Sequence, residues 1–486
     1  MGIVLKQSLN NTIITYLGFG IGAINTLFLY TRFLTDEYYG LVGVILSASA
    51  VLMPLLAFGV PNTLVKYFSG FKEARTGDGF LTLMLLLPLI MIFPIAVISY
   101  FSYDAIGSFI AKENPIVKSY VWYIFFIGIA MAYFEVFYAW ARVHMKSVFG
   151  NFMKEVFVRI GITILLLLVY VKWISIDTFL IALVLLYVLR MIIMKVYAYY
   201  LRMPILNFNF PENSKVIVQY SALIILGGSA AVVLLEVDKV MINQFIKIEN
   251  VAYYSVAIFI ATVISVPSRA MHQIVYPLTA EILTNNDTVG LKDLYHRSSL
   301  TLFIVSGIIY LLIILNLEEL YLLLPEEYTN GFGVVLIIGL AKVYDAVLGN
   351  NNAILYNSDY YKSLLVMGVL LALMTILFNL WLIPEYGLFG AAVASFSALC
   401  IYNTIKLVFV KIRFGILPFT TDMLKVLLVL ILLSFIFYFI EFPFHPIVNI
   451  IIKSILITVI YTCFLYRFRL SEDVYGVISR LLKKRN

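Results

Sequence analysis

Charge is what this sequence has least of. Asp, Glu, Lys and Arg make up 13% of its 486 residues, where a soluble domain usually carries about 25%. With 63% hydrophobic residues and a mean hydropathy of +1.00, the chain cannot cover itself with polar surface. Its solvent is lipid. Cysteine is nearly absent too: Cys400 and Cys463 both sit in apolar runs, which excludes a disulfide framework and a zinc site. No Gly-rich phosphate loop, metal-ligand spacing or serine/histidine arrangement stands out. No polar segment is long enough to fold as a nucleotide-binding domain, which excludes an ATP-driven pump for this chain alone. The net charge of +7 fits basic loops at a membrane face better than nucleic acid.

What is present is a series of apolar runs of the length that spans hydrocarbon as a helix, roughly 20 residues each. A helix satisfies its own backbone amides, and the period-two alternation of a β-barrel is missing. The sequence predicts an all-α integral membrane protein of fourteen spans. They fall at 12–33, 40–60, 80–101, 119–140, 159–173, 178–200 and 216–236, then 251–274, 298–317, 331–356, 363–383, 388–410, 424–441 and 446–466. The run 12–33 is long enough to span and no small-residue cleavage site follows it, so it reads as a retained span rather than a signal peptide.

Basic residues set the orientation. With the N-terminus placed inside, 26 Lys and Arg fall in inner segments and six in outer ones, as the positive-inside rule requires. Both termini are therefore expected in the cytoplasm. Pro204, Pro211 and three Asn mark 201–215 as a linker. It separates an N-terminal lobe, 1–200, from a C-terminal lobe, 216–411, and 412–486 adds a helix pair and a basic tail. Two six-helix bundles around a central cavity is the expected architecture.

The stretch Arg32-Phe33-Leu34-Thr35-Asp36-Glu37-Tyr38-Tyr39-Gly40-Leu41 carries a family likeness, as do Phe58-Gly59-Val60-Pro61-Asn62 and Val65-Lys66-Tyr67-Phe68. Leu235-Glu236-Val237-Asp238-Lys239, Tyr253-Tyr254-Ser255 and Pro384-Glu385-Tyr386-Gly387 extend it. The chain resembles the Wzx-type polysaccharide and O-antigen flippases of the MOP exporter superfamily, which includes MATE and MurJ transporters. That resemblance implies alternating access, with an undecaprenyl-diphosphate-linked oligosaccharide turned from the inner to the outer leaflet. It further implies membrane lipids and polysaccharide polymerase machinery as partners, no cofactor, and a proton or sodium gradient as the driving force.

A diphosphate crossing hydrocarbon needs cationic groups within the membrane. Each such charge costs about 2.5–3.5 kcal/mol at a helix centre and is seldom idle there. Arg32, at the end of the first span, offers a guanidinium fork for phosphate oxygens. Arg269 follows Pro267, which bends the eighth span, and His272 lies three residues on. Lys342 and Asp345 share one face of the tenth span, followed by Asn350-Asn351-Asn352. Glu135, among Tyr133, Tyr138 and Trp140, suits sugar hydroxyls and ring faces. Asp238 and Lys239, with Glu236 before them, suit coupling or gating, and Gly227-Gly228-Ser229-Ala230-Ala231 suits close packing or a hinge. For each, a bland reading stands beside the functional one: a snorkelling anchor, a solvated helix end or a structural salt bridge. A peptidoglycan-precursor flippase of MurJ type and a MATE-like drug antiporter are rival readings. A membrane glycosyltransferase is disfavoured, because Asp36-Glu37 run straight into the second span without an outer loop to shape an acceptor site.

Overall fold

The computed structural model describes the backbone of residues 3–71 and 74–483. Among the described residues every regular element is helical. Among the described residues eleven stretches are long and apolar enough to cross a membrane, against the fourteen expected. Three places account for the difference. The expected fifth belongs to the helical segment Ser147–Tyr170, which carries three charges, Lys154, Glu155 and Arg159. Of the expected seventh, inside the helix Ser214–Phe245, the described side chains form a shorter apolar stretch, Ser214–Ile225. The eleventh and twelfth share one continuous stretch, Tyr361–Phe414.

Gly387 divides that stretch. Its φ of 55° and ψ of −132° fall where only glycine is comfortable, and a Cβ there would meet nothing within 4 Å. The constraint is therefore conformational rather than steric. Helix starts follow ordinary capping chemistry: the Thr35 hydroxyl accepts from the Tyr38 amide, and Ser175 from Thr178.

Exposure shows what surrounds these helices. On Thr421–Tyr438, Met423, Val426, Leu430, Leu433 and Phe437 form a buried stripe at helical spacing. On the remaining faces Leu428 is 58% exposed and Phe435 67%. A helix apolar on every side, half of it open, is built for lipid. The protein is a multi-pass membrane protein.

The chain divides into two compact units, Met1–Ser255 and Val256–Asn486. The 201–215 segment thus lies inside the first unit, and so does Ser214–Phe245, which the sequence groups with the second lobe. The tie is specific: Ser214–Phe245 packs along Asp36–Leu56, where Ser47 donates to Glu236 at 2.7 Å. The centre of the first unit is Val121–Val143, set against Asp36–Leu56 and Ile176–Leu201. Its Phe134 and Trp140 are fully buried, together with Phe80, Met84 and Met194. Lipid supplies no hydrophobic drive between helices, so this fit rests on dispersion and small residues such as Gly128, Ala132 and Ala139. The side chains of Gly227–Ala231 lie outside the described residues.

In the second unit Thr288–Leu315 is central, flanked by Val266–Thr284, Phe332–Val347 and Thr421–Tyr438. The terminal helices are part of that core. Leu430, Phe437, Ile457, Tyr461 and Leu465 pack with Ile304 and Leu311, and the Tyr461 hydroxyl donates to the Ile304 carbonyl at 3.1 Å.

Candidate functional site

Each unit holds a concentration of charge among its apolar helices. In the first, three elements converge. Val121–Val143 supplies Glu135, Tyr138 and Arg142; the interrupted helix around Met153–Phe157 supplies Lys154, Glu155 and Arg159; Ile176–Leu201 supplies Tyr187 and Arg190. Lys154 Nζ reaches Glu135 Oε1 at 2.6 Å, and Arg159 pairs with Glu155 at 3.1 Å. Arg190 is buried, with its guanidinium 4.1 Å from the Phe134 ring centroid and 4.8 Å from that of Tyr187. Its Nε and that of Arg142 have no hydrogen-bond partner. Arg142 stacks over Tyr138 at 5.0 Å. Four cations thus face two carboxylates, an excess positive charge beside aromatic rings. Such a set can hold anionic oxygens and sugar faces together.

The π turn contributes directly to this arrangement. A helix with one extra residue in a turn shifts the side chains that follow it, and such bulges recur at functional positions. A second π turn, Asn25–Leu29, lies opposite. Asn25 locks it in place by donating to the Arg159 carbonyl at 2.8 Å and accepting from Thr163 at 2.7 Å.

In the second unit the focus is Lys406, 1% exposed on the far half of the Tyr361–Phe414 stretch. Its ammonium donates to Asn352 Oδ1 at 2.9 Å and lies 4.0 Å from Asp345 Oδ1. The Tyr402 ring centroid is 4.3 Å away. The asparagine triplet is split in its duties. Asn350 exchanges hydrogen bonds with Thr279, and Asn351 donates to the Tyr295 hydroxyl at 2.9 Å, so both serve helix packing. Only Asn352 addresses the lysine.

The residues singled out from sequence are distributed unevenly. Glu135 enters the first cluster and Asp345 the second. Trp140 does not accompany Glu135: it is fully buried in the core, on the opposite side of its helix. Asp345 forms its ion pair with Lys406, while Lys342 is half-buried on the same helix. Arg32 and Arg269 are both exposed, the latter just after a 3-10 turn at Val263–Ser265 that breaks the helix where Pro267 predicts a bend. Asp238 is buried and accepts from the Tyr254 hydroxyl at 2.5 Å; Lys239 pairs with Glu236 at 3.0 Å. The Tyr254 contact joins two helices of the first unit, while the Lys239–Glu236 pair lies within one helix. Among the described residues no group of His, Cys, Asp or Glu is placed to hold a metal ion.

Arg190 and Lys406 were within reach of sequence reasoning. Each is flanked by apolar residues on both sides, as in Val188-Leu189-Arg190-Met191-Ile192. A count of loop charges absorbs them as positive-inside anchors.

Residues 4–283, more than half of the chain, match the family model described as polysaccharide biosynthesis protein. The chain belongs to that family. No curated protein matches it. Among solved structures, a lipid II flippase MurJ in an inward closed conformation superposes with a TM-score of 0.75 at 14% identity, covering 95% of this chain and 99% of that one. An inward-facing multidrug resistance MATE transporter of the MOP superfamily gives 0.64 at 13% identity, covering 83% and 94%. A MOP superfamily transporter from Pyrococcus furiosus gives 0.54 at 14%, covering 86% and 98%. At such identities the likeness is one of fold, and this member of the polysaccharide biosynthesis family has the MurJ/MATE-type helical architecture.

Proposed function

We propose that the protein is a flippase that turns an undecaprenyl-diphosphate-linked oligosaccharide from the inner to the outer leaflet of a bacterial cytoplasmic membrane. It works by alternating access, with both termini in the cytoplasm and an ion gradient as the source of energy. It makes and breaks no covalent bond. The observation that carries this reading is the cationic cluster of Arg142, Lys154, Arg159 and Arg190. A net positive charge held among lipid-facing helices is costly unless an anion passes it, and a diphosphate is such an anion. Membership in a polysaccharide biosynthesis family supports a sugar-bearing cargo, and the fold supports transport over catalysis.

Deleting the gene and extracting its lipids tests the assignment. A lipid-linked oligosaccharide accumulating on the inner leaflet is the expected result. Arg142→Ala and Lys154→Ala should reproduce it at normal protein levels, with surface polysaccharide reduced at least tenfold. Normal polysaccharide in both variants would remove the cluster from the transport path. The superposition on a lipid II flippase favours a second reading, a peptidoglycan-precursor cargo, and accumulation of that precursor in the deletion would select it. Unchanged lipids with new drug sensitivity would point to a cation antiporter.

A further inference from the structure

Lys406 poses a problem that the transport of an anion does not answer. An ammonium has three N–H bonds to satisfy, and burial removes water as a partner. Here one N–H finds Asn352 Oδ1 at 2.9 Å, while the Asp345 carboxylate stands at 4.0 Å, attracting the charge without a hydrogen bond of ordinary length. A carboxylate and an amide oxygen grouped around one buried point are oxygen donors of the kind that receive a monovalent cation, and the Tyr402 ring face adds attraction for positive charge. In this protein the cation is covalently attached. Asn403, one turn before Lys406 on the same buried face, is fully enclosed with both side-chain amide atoms unpartnered, so the surroundings hold unused polar capacity.

We propose that Lys406 is a tethered cation: its ammonium fills a monovalent-cation site built by Asp345 and Asn352, and the second unit therefore cycles protons rather than sodium. The exchange is a plain proton transfer. The Lys406 ammonium gives a proton to the Asp345 carboxylate, leaving a neutral amine and a carboxylic acid, and the acid passes the proton to water. Asp345 suits the outer role, since its side chain is 39% exposed where Lys406 is 1%. The other titratable groups facing the pair are His272 and Tyr276 from Val266–Thr284, Tyr402 from its own helix, and Lys342 one turn before Asp345. His272 also meets the Gly349 backbone and feels both charges, which makes it the neighbour that tunes the pair.

The test needs no cargo, so its failure is separate from failure of the flippase assignment. Thermal unfolding of the purified protein in detergent is compared in sodium chloride and in choline chloride at equal ionic strength. Wild type should unfold at the same temperature in both. Lys406→Ala vacates the site and should gain several degrees in sodium, because a ligand that binds only the folded state stabilises it. Asp345→Asn added to Lys406→Ala should abolish the gain. Lys406→Met, which keeps the length of the stem, serves if the alanine variant does not fold. A sodium-dependent rise in wild type would overturn the proposal without any variant, and so would indifference to sodium in a folded Lys406 variant.

Discussion

At Arg190 a full positive charge rests between two aromatic rings with an unpartnered Nε, flanked along its helix by Leu189 and Met191. Such a group is poised for an incoming acceptor. Glu135 is different. Its 2.6 Å contact with Lys154 fixes the rim of the same cluster, and the two side chains are 17% and 45% exposed. That partial exposure screens the pair and limits its worth to about 1 kcal/mol. A double-mutant cycle of Glu135→Gln and Lys154→Met, read by thermal unfolding in detergent, should return a coupling of about that size. A coupling near zero would mean that the pair is a surface contact without structural consequence. Transport should respond more sharply than stability, because Lys154 supplies charge to the cluster while contributing little to packing.

Breaks in helices do much of the positioning. The π turn at Met153–Phe157 sets Lys154 toward Glu135, and the 3-10 turn at Val263–Ser265 separates two helices that the sequence reads as one span. Gly387 is the clearest case, holding a backbone conformation that an L side chain adopts only under strain. Gly387→Ala should cost about 1–3 kcal/mol, measured as a lowered unfolding temperature. Because a Cβ meets no neighbour there, larger residues should cost little more than alanine. A steep dependence on side-chain size would show that space, not φ, governs the position. The family-like motif around Gly40 has the other origin: a Cβ at Gly40 would strike the Ile248 carbonyl, so the small residue records a close backbone approach within the first unit.

For the whole molecule, membrane topology is the property most open to experiment. A green fluorescent protein fused after Asn486 should fluoresce, as it folds only in the cytoplasm. Alkaline phosphatase inserted in the Glu326-Glu327 loop should be active, as it needs the outer side. An inactive phosphatase there would invert the orientation drawn from the basic residues. The number of crossings rests on the same experiment, because fusions on either side of Gly387 report whether Tyr361–Phe414 crosses twice.

Composition and the spacing of apolar runs determined that this is an all-helical membrane protein, because the cost of placing polar backbone and charge in lipid acts on local sequence alone. Proline likewise marked the bend at Pro267, since that limit belongs to a single residue. Which charges meet was decided by tertiary structure. Glu135 and Lys154, or Asp345 and Lys406, lie on different helices, and their pairing depends on how those helices are rotated against one another. The one extra residue that a π turn inserts changes that rotation, and nothing in the hydropathy of the sequence records it.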